Sequence, residues 1–110
     1  MRYVRNLIYK VVITDYAKSQ LRQILYHVRC RLNNPAAARS IKQDLNETKE
    51  KLTYLAGSIK LCDNLELAEK GFRVILFRKH RYVLIYKVRG NIAFVEGICH
   101  ELQNYQNLFK

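Results

Sequence analysis

The chain has 110 residues, 49% of them hydrophobic and 26% charged, which fits one globular domain and is too short for two independent cores. No apolar run approaches the roughly 20 residues that span a bilayer, and the N-terminus lacks a signal-peptide pattern, so we expect a cytoplasmic protein without a membrane segment. Twenty Lys and Arg against nine Asp and Glu give a formal net charge of +11, which favours a polyanionic partner.

The first predicted elements are a strand and an amphipathic helix. The segment "IYKVVIT", Ile8 to Thr14, is rich in β-branched residues and predicts the first strand. From Asp15 the apolar residues recur every three or four positions, as on one face of a helix that continues to Leu32. The residues of this stripe are Ala17, Leu21, Ile24, Leu25, Val28 and Leu32.

A second helix follows after a short linker. Asn34 is suited to the N-cap, and Pro35 is suited to the first helical position, where its missing N–H costs nothing. Apolar residues continue the helical period until Gly57 ends it. Because the linker is so short, the two helices are expected to lie antiparallel as a helical hairpin.

The C-terminal half predicts an antiparallel meander. Residues Ser58 to Gly71 show no clean period, so we interpret them as a surface loop with little regular structure. Three strands are predicted at Phe72 to Arg78, Tyr82 to Val88 and Ile92 to Ile98, joined by connections short enough for hairpins. The whole chain, 1–110, is therefore predicted to be one α+β domain of order βααβββ, with both helices on one sheet face and the other face partly open.

Positive charge is concentrated in this meander. Between Lys70 and Val95 there is no acidic residue, while seven Lys and Arg fall there. RNA, DNA or an acidic protein segment are candidate partners, and the alternative is that these cations are solvated residues of the strand faces. Three cysteines, Cys30, Cys62 and Cys99, are odd in number and lack metal-binding or redox spacing, so we expect reduced thiols and neither a metal nor another cofactor.

Several of these pieces together resemble one protein family. The order of elements, the linker "NNPAAA", the "GFR" opening of the second strand, the third strand "YVLIYKV" and the ending "ICHELQNYQNLF" are similar to the RelE/ParE superfamily of bacterial toxins. The resemblance spans Ile8 to Phe109. It implies a small sheet flanked by a helical hairpin, acting as the toxin of a type II toxin–antitoxin module and forming a hetero-oligomer with an acidic antitoxin.

Two activities divide that superfamily, and both remain open for this chain. RelE-like toxins cleave mRNA on the ribosome, whereas ParE-like toxins poison DNA gyrase. For a metal-independent ribonuclease, which needs acid–base groups and phosphate-stabilising cations, the resemblance implies a catalytic set drawn from basic, histidine and tyrosine positions. These catalytic candidates are Arg73, Arg81, His100 and Tyr105, and the nucleic-acid-binding candidates are Arg73, Arg78, Lys79, Arg81 and Lys87.

Departures from the ribonuclease pattern keep further alternatives open. Val83 stands where RelE-like toxins carry an arginine, for which Arg81 is the possible substitute, and Leu102 and Gln103 replace a C-terminal basic pair. The mRNA endoribonuclease is slightly favoured by the high positive charge. The alternatives are a gyrase inhibitor, a catalytically degenerate toxin that still binds its antitoxin, and a basic nucleic-acid-binding module without toxicity.

Overall fold

The computed structural model describes residues 8–101, which form a four-stranded sheet and three α-helices. The strands are β1 (Lys10–Ile13), β2 (Arg73–Leu76), β3 (Tyr82–Arg89) and β4 (Ile92–His100). The helices are α1 (Asp15–Tyr26), α2 (Pro35–Leu55) and the short α3 (Leu65–Glu69). The predicted α+β class and the βααβββ order are confirmed, with α3 as an addition.

The sheet is mixed, with strand order β1-β4-β3-β2. Strands β2, β3 and β4 form the predicted antiparallel meander. β1 pairs with β4 in parallel, because the chain crosses over through α1 and α2 before it returns to the sheet. β1 and β4 therefore run in the same direction, and α1 begins beside the C-terminal half of β4.

The helical hairpin begins and turns at capped residues. The Thr14 hydroxyl accepts a hydrogen bond from the Ala17 N–H, and the Asn34 side chain accepts one from the Ala37 N–H, so the predicted start of α2 is confirmed. The prediction of one continuous first helix was wrong in its last turn. Residues His27–Arg31 form a π-helical turn, in which the Leu32 N–H donates to the His27 carbonyl at 3.0 Å.

The main core lies between the sheet and the hairpin, as the sequence predicted. Leu52 from α2 and Leu84, Tyr86 and Val95 from the sheet are all fully buried there. The Tyr86 hydroxyl donates a hydrogen bond of 2.8 Å to the carbonyl of Ala56, just beyond α2. This bond fixes the end of the second helix to the centre of the sheet.

The other sheet face is partly covered by a segment predicted to be an irregular loop. Within it the Asn64 side chain caps α3 by accepting from the Leu67 N–H, and Leu67 packs with residues of β3 and β4. The prediction missed α3 because a helix of five residues is too short to show a hydrophobic period. The apolar residues of this second cluster are Cys62, Leu67, Phe72, Val74, Val83, Ile85 and Cys99.

The structure also places the three cysteines and shows the character of the helices. Cys30, Cys62 and Cys99 are all free thiols, and Cys99 is buried. Among residues 8–101, no helix has the length and apolar character needed to cross a bilayer.

Candidate functional site

A buried carboxylate organises the basic loop, residues 78–81, which joins β2 to β3. Asp44 of α2 is 1% exposed. One of its oxygens accepts the Arg78 N–H at 3.2 Å, and the other accepts the N–H groups of Lys79 and His80 at 2.9 and 3.0 Å. The same second oxygen lies 2.7 Å from Nδ1 of the His80 ring. Because a carboxylate oxygen can only accept, Nδ1 carries the proton in this bond.

These hydrogen bonds decide the charge state of Asp44. Burial by itself would raise the pKa of this carboxyl group, since a dry environment disfavours the charged form. The hydrogen bonds from the His80 ring and from the Lys79 and Arg78 backbone outweigh burial and hold the pKa of Asp44 below its ordinary value. The loop is therefore built around an anion that is buried and hydrogen-bonded on both oxygens.

The anchored loop presents its long cations to solvent. Arg78, Lys79 and Arg81 are exposed, while the Asp44 carboxylate is hydrogen-bonded to the loop backbone and to His80. The Arg81 side chain is 71% exposed and its Nε lies 3.3 Å from a carboxylate oxygen of Glu101. An ion pair so open to water is weak, so Arg81 stays able to exchange Glu101 for another anion.

A cleft lies beside this loop, between α1 and the end of the sheet. Its volume is about 260 Å³, and both His27 of the π-helical turn and His100 of β4 line it. The Tyr82 ring, which also lines the cleft, meets the His100 ring edge-on with centroids 5.7 Å apart. Gln20 of α1 is held in the wall because its side-chain oxygen accepts the Ile98 N–H at 2.8 Å.

Arg73 lies away from this cleft and is tied to the protein's own backbone. Its register partner is Tyr86, so it lies on the hairpin side of the sheet, about four residues along β3 from Tyr82. The Arg73 guanidinium donates to the carbonyl of Ile59, and its Nε is buried without a hydrogen-bond partner among the described residues. The structure thus brings Arg78, Lys79, Arg81 and His100 to one end of the sheet and leaves Arg73 outside this group.

Lys87 is also separated from the group. Its ammonium lies 4.5 Å from the centroid of the Phe72 ring, in a cation–π contact. Phe72 belongs to the second apolar cluster, so Lys87 lies on the opposite sheet face from Arg73. Arg73 and Lys87, two of the five predicted nucleic-acid-binding residues, therefore lie on opposite faces of the sheet.

The remaining predicted site positions are buried or lie outside the described residues. Val83, at the place of the missing RelE-like arginine, is 3% exposed and packs in the second apolar cluster. Tyr105, Leu102 and Gln103 lie outside the described residues. Within residues 8–101, no group of three or more His, Cys, Asp or Glu side chains is placed to hold a metal ion.

Asp44 is the residue of this site that sequence reasoning missed. Ile41, Leu45 and Leu52 mark the apolar stripe of α2, and Asp44 falls on the same face, three residues after Ile41. A charged residue on a buried helical stripe is itself a signal, because it requires a partner in the interior. The sequence alone could not name that partner, since Arg78, Lys79 and His80 are more than 30 residues away.

Comparisons with known proteins place this arrangement in a family context. The family model described as the ParE toxin of the type II toxin–antitoxin system, parDE, matches residues 11–105. A solved structure, the chromosomal ParDE TA system from P. aeruginosa, superimposes with a TM-score of 0.70 at 19% identity, covering 84% of this chain and 96% of that one. A search of curated proteins found no match.

Proposed function

Because this chain belongs to the ParE toxin family of type II toxin–antitoxin systems, we propose that it inhibits growth by binding DNA gyrase and that a cognate acidic antitoxin neutralises it. The observation that carries this proposal is the family match over residues 11–105. ParE-like toxins act by poisoning gyrase, whereas RelE-like toxins cleave mRNA. The match favours the first activity over the second.

The geometry of the catalytic candidates supports a toxin that acts by binding. A ribonuclease would need Arg73 to meet a phosphate beside an acid–base group, but its guanidinium is bonded to the Ile59 carbonyl. Val83, which replaces the RelE-like arginine, is buried in an apolar cluster. A binding toxin needs instead an exposed and rigid surface, and the basic loop anchored by Asp44 provides one.

The same loop suits the proposed antitoxin. Arg78 and Lys79 are exposed, and Arg81 holds only a weak, solvent-exposed pair with Glu101. Carboxylates of an acidic antitoxin would gain charge-assisted hydrogen bonds there. An antitoxin on this surface would compete with the target for the same cations, so neutralisation would follow from occupancy in a hetero-oligomer of the two proteins.

A gyrase assay with purified proteins tests the proposal. The wild-type chain, added to gyrase and relaxed plasmid, is expected to block supercoiling and to accumulate cleaved DNA. The double variant Arg78→Gln/Lys79→Gln is expected to lose most of this inhibition. Lys51→Gln/Lys60→Gln removes the same charge from exposed positions outside the loop and should inhibit like the wild type.

Growth inhibition without gyrase inhibition would contradict the proposal. In cells, induced expression should raise a DNA-damage response while mRNA stays intact. Rapid loss of mRNA with no DNA-damage response would assign the chain to the ribonuclease branch instead.

One observation favours that ribonuclease as a second candidate. His27 and His100 line the same cleft, and two imidazoles facing one phosphodiester could serve as base and acid. This candidate expects mRNA fragments in a ribosome-containing translation reaction, lost in both His27→Gln and His100→Gln. Fragmentation that persists in both variants, or is absent from the wild type, would eliminate it.

A further inference from the structure

The helical hairpin carries a second concentration of positive charge, independent of the meander. Between residues 16 and 43 there is no Asp or Glu, while six Lys and Arg fall there, a longer acid-free stretch than Lys70 to Val95. Five of them lie on α1, the π-helical turn and the first half of α2, and we call them the hairpin cations. They are Arg22, Arg29, Arg31, Arg39 and Lys42, all exposed and none ion-paired within residues 8–101.

Two of the hairpin cations meet on one flank of the first helix. Arg22 and Arg31 line a cleft of about 370 Å³ together with Tyr26 and His27. In a regular α-helix, residues nine positions apart lie on opposite sides, because each residue turns the chain by about 100°. The π-helical turn at His27–Arg31 widens the last turn and brings Arg31 round toward the face of Arg22.

The other three hairpin cations meet in a second cleft, between the first helix and α2. Arg29 of the π-helical turn and Arg39 and Lys42 of α2 line this cleft of about 300 Å³, with Pro35 at its edge.

The basic loop adjoins these clefts. Asp44, which holds the loop, lies two residues beyond Lys42 in α2, and His27 shares a cleft with Tyr82 at the end of the loop. The basic loop and the last turns of the first helix therefore lie at the same end of the sheet. The surface that they form together is larger than either one alone.

We propose that the hairpin cations bind the phosphate backbone of duplex DNA. Four of the five are arginines, whose planar guanidinium matches phosphate oxygens in a bidentate pair. All five are exposed on rigid helices, as phosphate contacts that position a protein on DNA require. Contact with DNA is expected whether or not gyrase is the target of the toxin.

Duplex DNA fits these clefts better than two other polyanions do. Single-stranded RNA is bound largely by stacking of its bases on aromatic rings, and of the residues that line the two clefts only Tyr26 is aromatic apart from His27. An acidic helix would need an apolar groove for its anchor residues, and the first cleft is lined by polar and charged side chains instead. Leu25, Pro35 and Ala38 adjoin the cations of the second cleft, so an acidic peptide is tested there as the competing occupant. Exposed cations with few aromatic rings among them are typical of backbone contact with a duplex.

Fluorescence anisotropy with a labelled 20-base-pair duplex tests this binding without gyrase. The purified wild-type chain is compared with Arg22→Gln/Arg31→Gln, Arg29→Gln/Arg39→Gln and the charge-matched control Lys51→Gln/Lys60→Gln. Each hairpin pair is expected to weaken binding roughly tenfold or more near 0.1 M salt, and to reduce the slope of log K against log salt by about two. The control pair should change neither quantity, and all three variants should keep the wild-type Tm because every altered residue is exposed.

Three results would overturn the assignment. Equal losses in the hairpin and control pairs would show a response to net charge alone. Tighter binding of single-stranded RNA than of the duplex would assign the clefts to RNA, and preferential binding of polyglutamate would assign them to an acidic protein partner. Inhibition of gyrase by the same variants is measured separately, so that loss of DNA contact and failure of the gyrase proposal remain distinguishable.

Discussion

The β2–β3 hairpin is fastened to α2 and the segment beyond it at two places, and the two fastenings differ in chemistry. At the basic loop, the Asp44 carboxylate accepts hydrogen bonds from Arg78, Lys79 and His80. At the start of β2, the Arg73 guanidinium donates to the Ile59 carbonyl and leaves its Nε buried without a partner in the described part of the chain. One is a buried anion with both oxygens satisfied, and the other is a cation satisfied only in part.

The difference separates structural charge from charge available for binding. An ionic group that is buried and hydrogen-bonded within the chain holds the fold, because desolvation makes its internal partners hard to replace. Asp44 falls in this class, and the partly buried Arg73, whose Nε is buried and whose guanidinium donates to the Ile59 carbonyl, comes close to it. The side chains of Arg78 and Lys79 are exposed although their backbone N–H groups are bonded to Asp44, so the same contact that uses their backbone leaves their charges for a partner.

The largest effect is expected at Asp44. Asp44→Ala leaves three backbone N–H groups and the His80 ring without their acceptor, and we expect a loss of about 3–5 kcal/mol in the free energy of unfolding. Urea denaturation measures this loss. Asp63→Ala is the matched control, because its side chain is 89% exposed and an ion pair so open to water contributes little to stability. Equal effects of the two substitutions would mean that Asp44 does not anchor the loop.

A smaller effect is expected at the hydrogen bond beside Arg73. Burial raises the pKa of the Tyr86 hydroxyl to about 12, so the group stays protonated and donates to the Ala56 carbonyl. Tyr86→Phe leaves that carbonyl unsatisfied and should lower the free energy of unfolding by about 1–3 kcal/mol. Tyr54→Phe is the control: Tyr54 is 59% exposed, so loss of its hydroxyl should change the free energy of unfolding by less than about 0.5 kcal/mol. A Tyr86→Phe protein as stable as its control would show that the bond contributes nothing net.

Arg73 itself should matter less to stability than Tyr86, because replacing it also removes a buried unsatisfied Nε. Arg73→Met keeps an unbranched apolar stem, and we expect a loss of about 1 kcal/mol together with full growth inhibition. The control Arg89→Met removes the same charge from an exposed strand residue. If Arg73→Met abolished toxicity while its urea midpoint stayed at the wild-type value, Arg73 would act on the target and the contrast with the basic loop would fail.

The elements that could be predicted from the sequence are those with a local signal. The apolar period of α1 and α2, the Asn34 cap and the alternating strands each depend on residues within about ten positions of one another. The π-helical turn was missed because His27–Arg31 continues the apolar period of α1 at Val28. α3 was missed because its five residues show no period.

The arrangement of the site depends on contacts that no local pattern encodes. Parallel pairing of β1 with β4 determines that α1 runs beside His100, and it joins residues about 82 positions apart. The bond between Asp44 and the basic loop is of the same kind. The acid-free stretch from 16 to 43 was visible in the sequence. Cations on the polar face of an amphipathic helix are ordinary, however, and only the structure shows that these cations line two clefts.

The smallest effect is expected in the pH dependence of stability, which should differ between Asp44 and Arg73. The pKa of Asp44 is lower in the folded chain than in the unfolded one, where it is about 3.9, so the unfolded state binds more protons in acid. The contribution of Asp44 is therefore complete above about pH 5 and is lost as the pH falls through the folded-state pKa. The difference in unfolding free energy between the wild type and Asp44→Asn should shrink between about pH 5 and pH 3, while that between the wild type and Arg73→Met should stay constant, since arginine does not titrate there. A constant Asp44→Asn difference over this range would mean that the carboxylate charge is not what holds the basic loop.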